Sequence, residues 1–140
     1  MMLITFGDVA VSGAYPSVAY QLLLGVEADL CVRVGSAVVL DEPHFPIVEL
    51  RQWLAQWLSA GAVDDFTYTS IEADEDGLLS FQQAEQGDWL VGAAWSTLAS
   101  PPKISRACLL SACQCFVGQV DAWVASNLHL SVCDVLMDLR

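Results

Sequence analysis

Apolar residues recur in this chain at two different periods, and the order in which those periods alternate restricts the fold more than any other feature. The first forty residues read as strands, with Leu3–Phe6, Ala19–Val26 and Leu30–Val34 rich in Leu, Val and Tyr, and Gly35-Ser36 turning the chain back into Ala37–Leu40. Asp41–Pro46 then breaks the strand pattern, and Pro46 suits the first position of a helix, where its missing N–H costs nothing. From Ile47 the spacing becomes three and four: Leu50, Trp53, Leu54, Trp57 and Leu58 share a face until Gly61 offers a stop. Alternation returns at Asp65–Ile71, Gly77–Gln83 and Asp88–Ser96, joined by the acidic, Gly-bearing turns Asp74–Gly77 and Glu85–Asp88, so a three-stranded meander is expected. After Pro101-Pro102, Ser105 is placed to cap a long helix whose stripe is Cys108, Leu109, Ala112, Phe116, Val120, Trp123 and Val124, and Leu130–Leu139 reads as a further helix. Most successive strands have no helix between them. The expected class is therefore α+β, an antiparallel sheet covered by a central amphipathic helix and a long C-terminal helix, in a single domain spanning 1–140.

Composition narrows the partners. Five Lys and Arg against seventeen Asp and Glu give a net charge of −12, which speaks against nucleic acid as a partner because neutralising phosphates requires a basic face. At 55% hydrophobic residues the chain holds enough apolar surface to fold despite that charge. The longest apolar stretch, Ser17–Leu40, is interrupted by Glu27, Asp29 and Arg33, so no membrane span is expected there. Asp8 comes too early, and no Lys or Arg comes first, for a secretory leader. A cytoplasmic protein is the expectation, with Cys31, Cys108, Cys113, Cys115 and Cys133 as buried thiols rather than a disulfide framework.

Signatures of catalysis are missing from the sequence. It has no G-x-S-x-G elbow and no glycine-rich phosphate loop, and only His44 and His129 are available as imidazole bases. Glu72, Asp74, Asp76 and Gly77 imitate the start of a calcium loop, but Gln83 stands where the closing bidentate Glu belongs and the following residues are strand-like. Neither enzymatic activity nor a metal or other cofactor is expected.

Charge distribution is the informative feature. Between Arg51 and Lys103 there is no basic residue, while Asp64, Asp65, Glu72, Asp74, Glu75, Asp76, Glu85 and Asp88 all fall in that window. A meander puts the turn at 72–76 at one end of the sheet, and Asp64 and Asp65 at the other end beside Glu85 and Asp88. Interleaved with Tyr68, Phe81, Trp89 and Trp95, these eight carboxylates are the candidate partner-binding residues, suited to a basic protein surface. The same charge also keeps an apolar chain dispersed.

The run Leu40–Leu50, the pairs Trp53-Leu54 and Trp57-Leu58, then Asp65–Ser70, Leu78–Phe81 and the Trp89 to Trp95 segment resemble small immunity proteins of bacterial polymorphic-toxin systems, over roughly Val38 to Val124. The resemblance implies a protein that sits in the producer's cytoplasm and neutralises a cognate toxin domain by covering its active site or its substrate access. A partner with a basic cleft agrees with the charge. The resemblance carries no fixed contact list and leaves the oligomeric state open. A small acidic ligand-binding or regulatory adaptor is the alternative, with a small molecule rather than a toxin as its partner.

Overall fold

A computed structural model describes residues 1–11, 19–69 and 77–136. The class is α+β: two antiparallel sheets of three and four strands packed with a central helix and a long C-terminal helix. The order is β1 (Met2–Val11), α1 (Ala19–Gly25), β2 (Val26–Val34), β3 (Ala37–Pro46), α2 (Ile47–Ser59), β4 (Phe66–Tyr68), β5 (Leu79–Gln83), β6 (Asp88–Gly92), β7 (Lys103–Ser105), α3 (Arg106–Leu128) and α4 (Val132–Val135).

The first sheet has the order β1-β2-β3. Alternation in β2 buries Val26, Ala28, Leu30, Val32 and Val34, and the β2–β3 hairpin closes at Gly35, whose φ of +59° suits a residue without a Cβ. Two sequence expectations change here. Ala19–Val26 is expected as a strand, yet residues 19–25 form α1. That segment has no β-branched residue and carries three consecutive Leu, so helix propensity decides, and both Leu22 and Leu23 are still buried. Asp41–Pro46 is expected to end the strand pattern, but β3 runs through it to Pro46. It does so as an edge strand with a register shift between Ala28 and Leu30 of β2, and Pro43 lies in the part of β3 opposite that shift, where a missing N–H breaks no ladder.

Helix α2 starts one residue later than its Pro46 suggests, with the proline as cap, and ends as its glycine indicates. The Gly61 N–H donates to the Leu58 carbonyl at 3.1 Å and the Ala62 N–H to the Trp57 carbonyl at 3.0 Å, a Schellman closure with Gly61 at φ +98°. This helix is the centre of the molecule. It packs against β2 and α3 with Ile47, Leu50 and Leu54 fully buried, and it carries Trp57 into a ring cluster with Phe66, Phe81 and Trp89, at centroid separations of 5.6 to 5.7 Å.

The meander is present as β4-β5-β6, with Phe66 opposite Phe81 and Phe81 opposite Val91. A fourth strand, β7, extends it beyond the three expected, pairing Trp89 with Ile104. Strand β6 stops at Gly92 rather than at Ser96. Ser105 caps α3, its Oγ accepting the Cys108 N–H at 3.3 Å. The helix buries Leu109, Ala112, Cys113, Phe116, Val120, Val124 and Leu128, so Cys113 belongs to the stripe, Trp123 packs half-buried at its edge, and Cys108 is exposed. Phe116 meets Phe6 of β1 edge to face at 5.9 Å.

Helix α3 is long and apolar enough, by length and composition, to cross a membrane, unlike the interrupted stretch Ser17–Leu40 on which the expectation of no span rests. Here its apolar stripe faces β1 and α2. The expected helix at Leu130–Leu139 is present as the four-residue α4, and the end of that range lies outside the described residues.

Candidate functional site

The chain from the end of α2 to β4 carries Asp64 and Asp65, and three side chains from elsewhere fasten its backbone. Arg106, first residue of α3, donates to the carbonyls of Ala62 and Gly61, the latter at 2.9 Å. The Trp57 indole donates to the Asp64 carbonyl at 2.8 Å. Gln83, last residue of β5, donates through its side-chain amide to the Val63 carbonyl at 2.8 Å. Main-chain positions that would otherwise move are thereby held, which is what a preorganised binding surface requires.

Asp65 has a structural duty. Its Oδ1 accepts the Gln83 backbone N–H at 2.9 Å and so fixes the start of β4 against the end of β5. Because β5 ends at Gln83 and β6 begins at Asp88, the connection between them lies at this same end of the sheet. It is a short 3-10 turn over Glu85–Gly87, with Gln86 at φ +61° and Gly87 at φ +77°, closed by the Ala84 N–H donating to the Asp88 carbonyl at 2.8 Å. The fold thus brings Asp64, Asp65, Glu85 and Asp88 to one end of the four-stranded sheet. Asp64, Asp65 and Glu85 are exposed and Asp88 is half-buried. Glu72, Asp74, Glu75 and Asp76 lie outside the described residues, and the calcium-loop likeness lies there with them.

The window without a base in sequence is not without one in space. Arg106 reaches this end of the sheet, but its guanidinium is used by main-chain carbonyls, and among the described residues it forms no ion pair. The aromatic share of the candidate surface is smaller than the strand pattern suggests: Tyr68, Phe81 and Trp89 are buried, leaving Trp95 exposed. On α2 the two tryptophans divide, Trp57 at 9% exposure within the ring cluster and Trp53 at 38% with its edge on Tyr68.

Three polar residues of α2 that the sequence reading does not single out are buried. Glu49, at 1% exposure, accepts the Tyr68 hydroxyl at 2.7 Å through Oε1, while Oε2 has no hydrogen-bond partner among the described residues. Arg51, at 4%, forms a two-point ion pair with Asp121 of α3, Nε to Oδ1 at 2.7 Å and Nη2 to Oδ2 at 2.9 Å. Burial opposes the guanidinium charge, but the hydrogen bonds and charge of Asp121 outweigh it, and the Arg51 pKa lies above its ordinary value. Nη1 also donates to Gln52 Oε1 at 3.0 Å and Nη2 to Cys133 Sγ at 3.3 Å. The available signal was a cation inside an apolar helix in a chain with only five Lys and Arg.

The cysteines also depart from expectation, because of the five only Cys113 is buried while Cys108, Cys115 and Cys133 are exposed and Cys31 is half-buried. Burial pushes the Cys113 thiol up to about 12. Among the described residues no group of three His, Cys, Asp or Glu is placed to hold a metal ion.

The fold and its acidic sheet end define a small two-sheet α+β domain. Residues 12–126 match the family described as Domain of unknown function (DUF7878), and the chain belongs to that family. No curated protein and no solved structure matches it.

Proposed function

We propose that this chain is an immunity protein, which binds a cognate toxin domain in the producer's cytoplasm and neutralises it by laying an acidic surface over the toxin's basic cleft. The observation that carries the proposal is the gathering of Asp64, Asp65, Glu85 and Asp88 at one sheet end, with the backbone from Gly61 to Asp64 held by Arg106, Trp57 and Gln83 and the Glu85–Gly87 turn closed by Ala84 and Asp88. A fixed acidic surface loses little freedom on binding and steers a basic partner toward it. The resemblance of residues 38–124 to small immunity proteins supports the same reading.

Co-expression tests it. The toxin encoded beside this chain's gene, produced alone, arrests growth, and producing both restores it. A neighbouring gene that encodes no toxin, or a toxin whose effect persists in the presence of this chain, overturns the proposal.

A further inference from the structure

We propose that the outer face of α3 is a redox-controlled contact between two copies of this chain, which pack antiparallel there and are linked, on oxidation, by two disulfides between Cys108 of one copy and Cys115 of the other. The contact uses none of the carboxylates of the acidic sheet end and is argued independently of the immunity reading.

Helix α3 runs for 23 residues with Arg106 and Asp121 as its charged residues, and both are engaged within the fold. Arg106 donates to the carbonyls of Gly61 and Ala62, and Asp121 pairs with Arg51 of α2. The side of the helix turned away from Asp121 carries Cys108, Cys115, Gln119 and Ser126, all exposed and uncharged, at spacings of seven and four that keep them on one face. Copies of a chain with net charge −12 repel one another, and on this face they approach without setting carboxylates against carboxylates.

The two thiols fit each other only across copies. Seven residues separate them by about 10.5 Å along the helix, and a disulfide needs Cα atoms within about 7 Å. A two-fold axis crossing the face midway between them lays Cys108 of each copy opposite Cys115 of the other, so one symmetric contact makes both bonds. The helices then run antiparallel, with unlike ends of their dipoles adjacent. Such bonds need helix axes near the lower end of the usual packing distance, and Ser111, Gly118 and Ala122, exposed beside the cysteines, are small enough to allow it.

Contact area decides that the link is redox-dependent. The helix presents a strip of about 35 Å by 10 Å, or roughly 350 Å² a side, against the about 800 Å² a side of a standard interface. Packing alone is too small to hold two repelling copies, so the disulfides decide between monomer and dimer. The oxidant is a small disulfide. The Cys108 thiolate attacks one of its sulfurs, forming a mixed disulfide and releasing the first small thiol. The Cys115 thiolate of the second copy then attacks the Cys108 sulfur and releases the second. Two protein thiols give up two electrons and two protons, and the reagent takes them up as two thiols.

The experiment treats the full chain with oxidised glutathione and follows the products by non-reducing electrophoresis and sedimentation. The parent is expected to form a disulfide-linked dimer that returns to monomer in reductant. Cys108→Ser and Cys115→Ser, both at exposed positions, are each expected to lose the dimer alone and to regain it when mixed, as a heterodimer held by one bond. Cys133→Ser, which removes an exposed thiol away from this face, is expected to dimerise as the parent does. Dimer formation by either α3 variant alone, a mixture without heterodimer, loss of the dimer in Cys133→Ser, or a dimer that persists in reductant overturns the proposal.

Discussion

Arg51 and Asp121 stand seventy residues apart and meet in a two-point ion pair, with 2.7 Å between Nε and Oδ1 and 2.9 Å between Nη2 and Oδ2, which ties the central helix to the long C-terminal one. The arginine is buried and the aspartate about a third exposed. The two partners are therefore unequal: removing the acid strands a charge in the interior, whereas removing both strands no charge and leaves unmade the Arg51 contacts with Gln52 and Cys133.

Asp121→Ala is expected to destabilise the fold by about 2–4 kcal/mol, below the full cost of breaking a buried pair because Asp121 reaches solvent. Arg51→Met with Asp121→Leu is expected to recover most of that loss. Urea unfolding of the three proteins checks this, and a double variant as unstable as the single one contradicts it.

Trp57→Ala is expected to cost about 3–5 kcal/mol, since it removes the ring at the centre of the Phe66, Phe81 and Trp89 cluster and the donor to the Asp64 carbonyl. Trp53→Ala removes an edge contact with Tyr68 and is expected to cost about 0.5–1.5 kcal/mol. Melting temperatures that fall equally in the two variants contradict this division.

Stability above neutral pH is expected to carry the signature of Cys113. Burial raises its folded pKa from 9.0 to about 12, so between these values the folded chain keeps the thiol proton that the unfolded chain releases. Below pH 9 both states hold the proton and this contribution is fully present, and it is lost as pH rises towards 12. Cys113→Ala is expected to flatten the fall of unfolding free energy across that window, and parallel curves for the two proteins contradict the assignment.

Local signals in the chain are legible wherever a single residue's backbone chemistry decides the outcome. Gly61 ends α2, Ser105 starts α3, and the Glu85–Asp88 connection turns β5 into β6. Strand order then puts Asp64 and Asp65 beside Glu85 and Asp88. What the sequence hides is decided by tertiary context: Pro43 is tolerated in β3 because that strand is an edge with a register shift, and β7 is three residues that pair with β6. The Arg51–Asp121 pair joins segments far apart in the chain, and no local pattern announces it.

Asp65→Ala is expected to act on the fold before it acts on any partner, because its Oδ1 holds the Gln83 N–H. A loss of about 1 kcal/mol is expected, typical of one such hydrogen bond. Asp64→Ala and Glu85→Ala, exposed and without side-chain bonds among the described residues, are expected to leave stability within about 0.5 kcal/mol of the parent. Thermal unfolding of the three variants separates the structural acid from the free ones.

The association rate with the cognate toxin, measured against ionic strength, tests the account most directly. Two charge-reversed variants are compared with the parent: Asp64→Lys with Glu85→Lys, and Asp74→Lys with Glu75→Lys and Asp76→Lys. Each variant is expected to associate about tenfold more slowly than the parent at low salt, with a flattened salt dependence, while its melting temperature stays unchanged. Association rates of the Asp64→Lys with Glu85→Lys variant that match the parent at both low and high salt contradict the claim that the acidic sheet end meets a basic toxin surface.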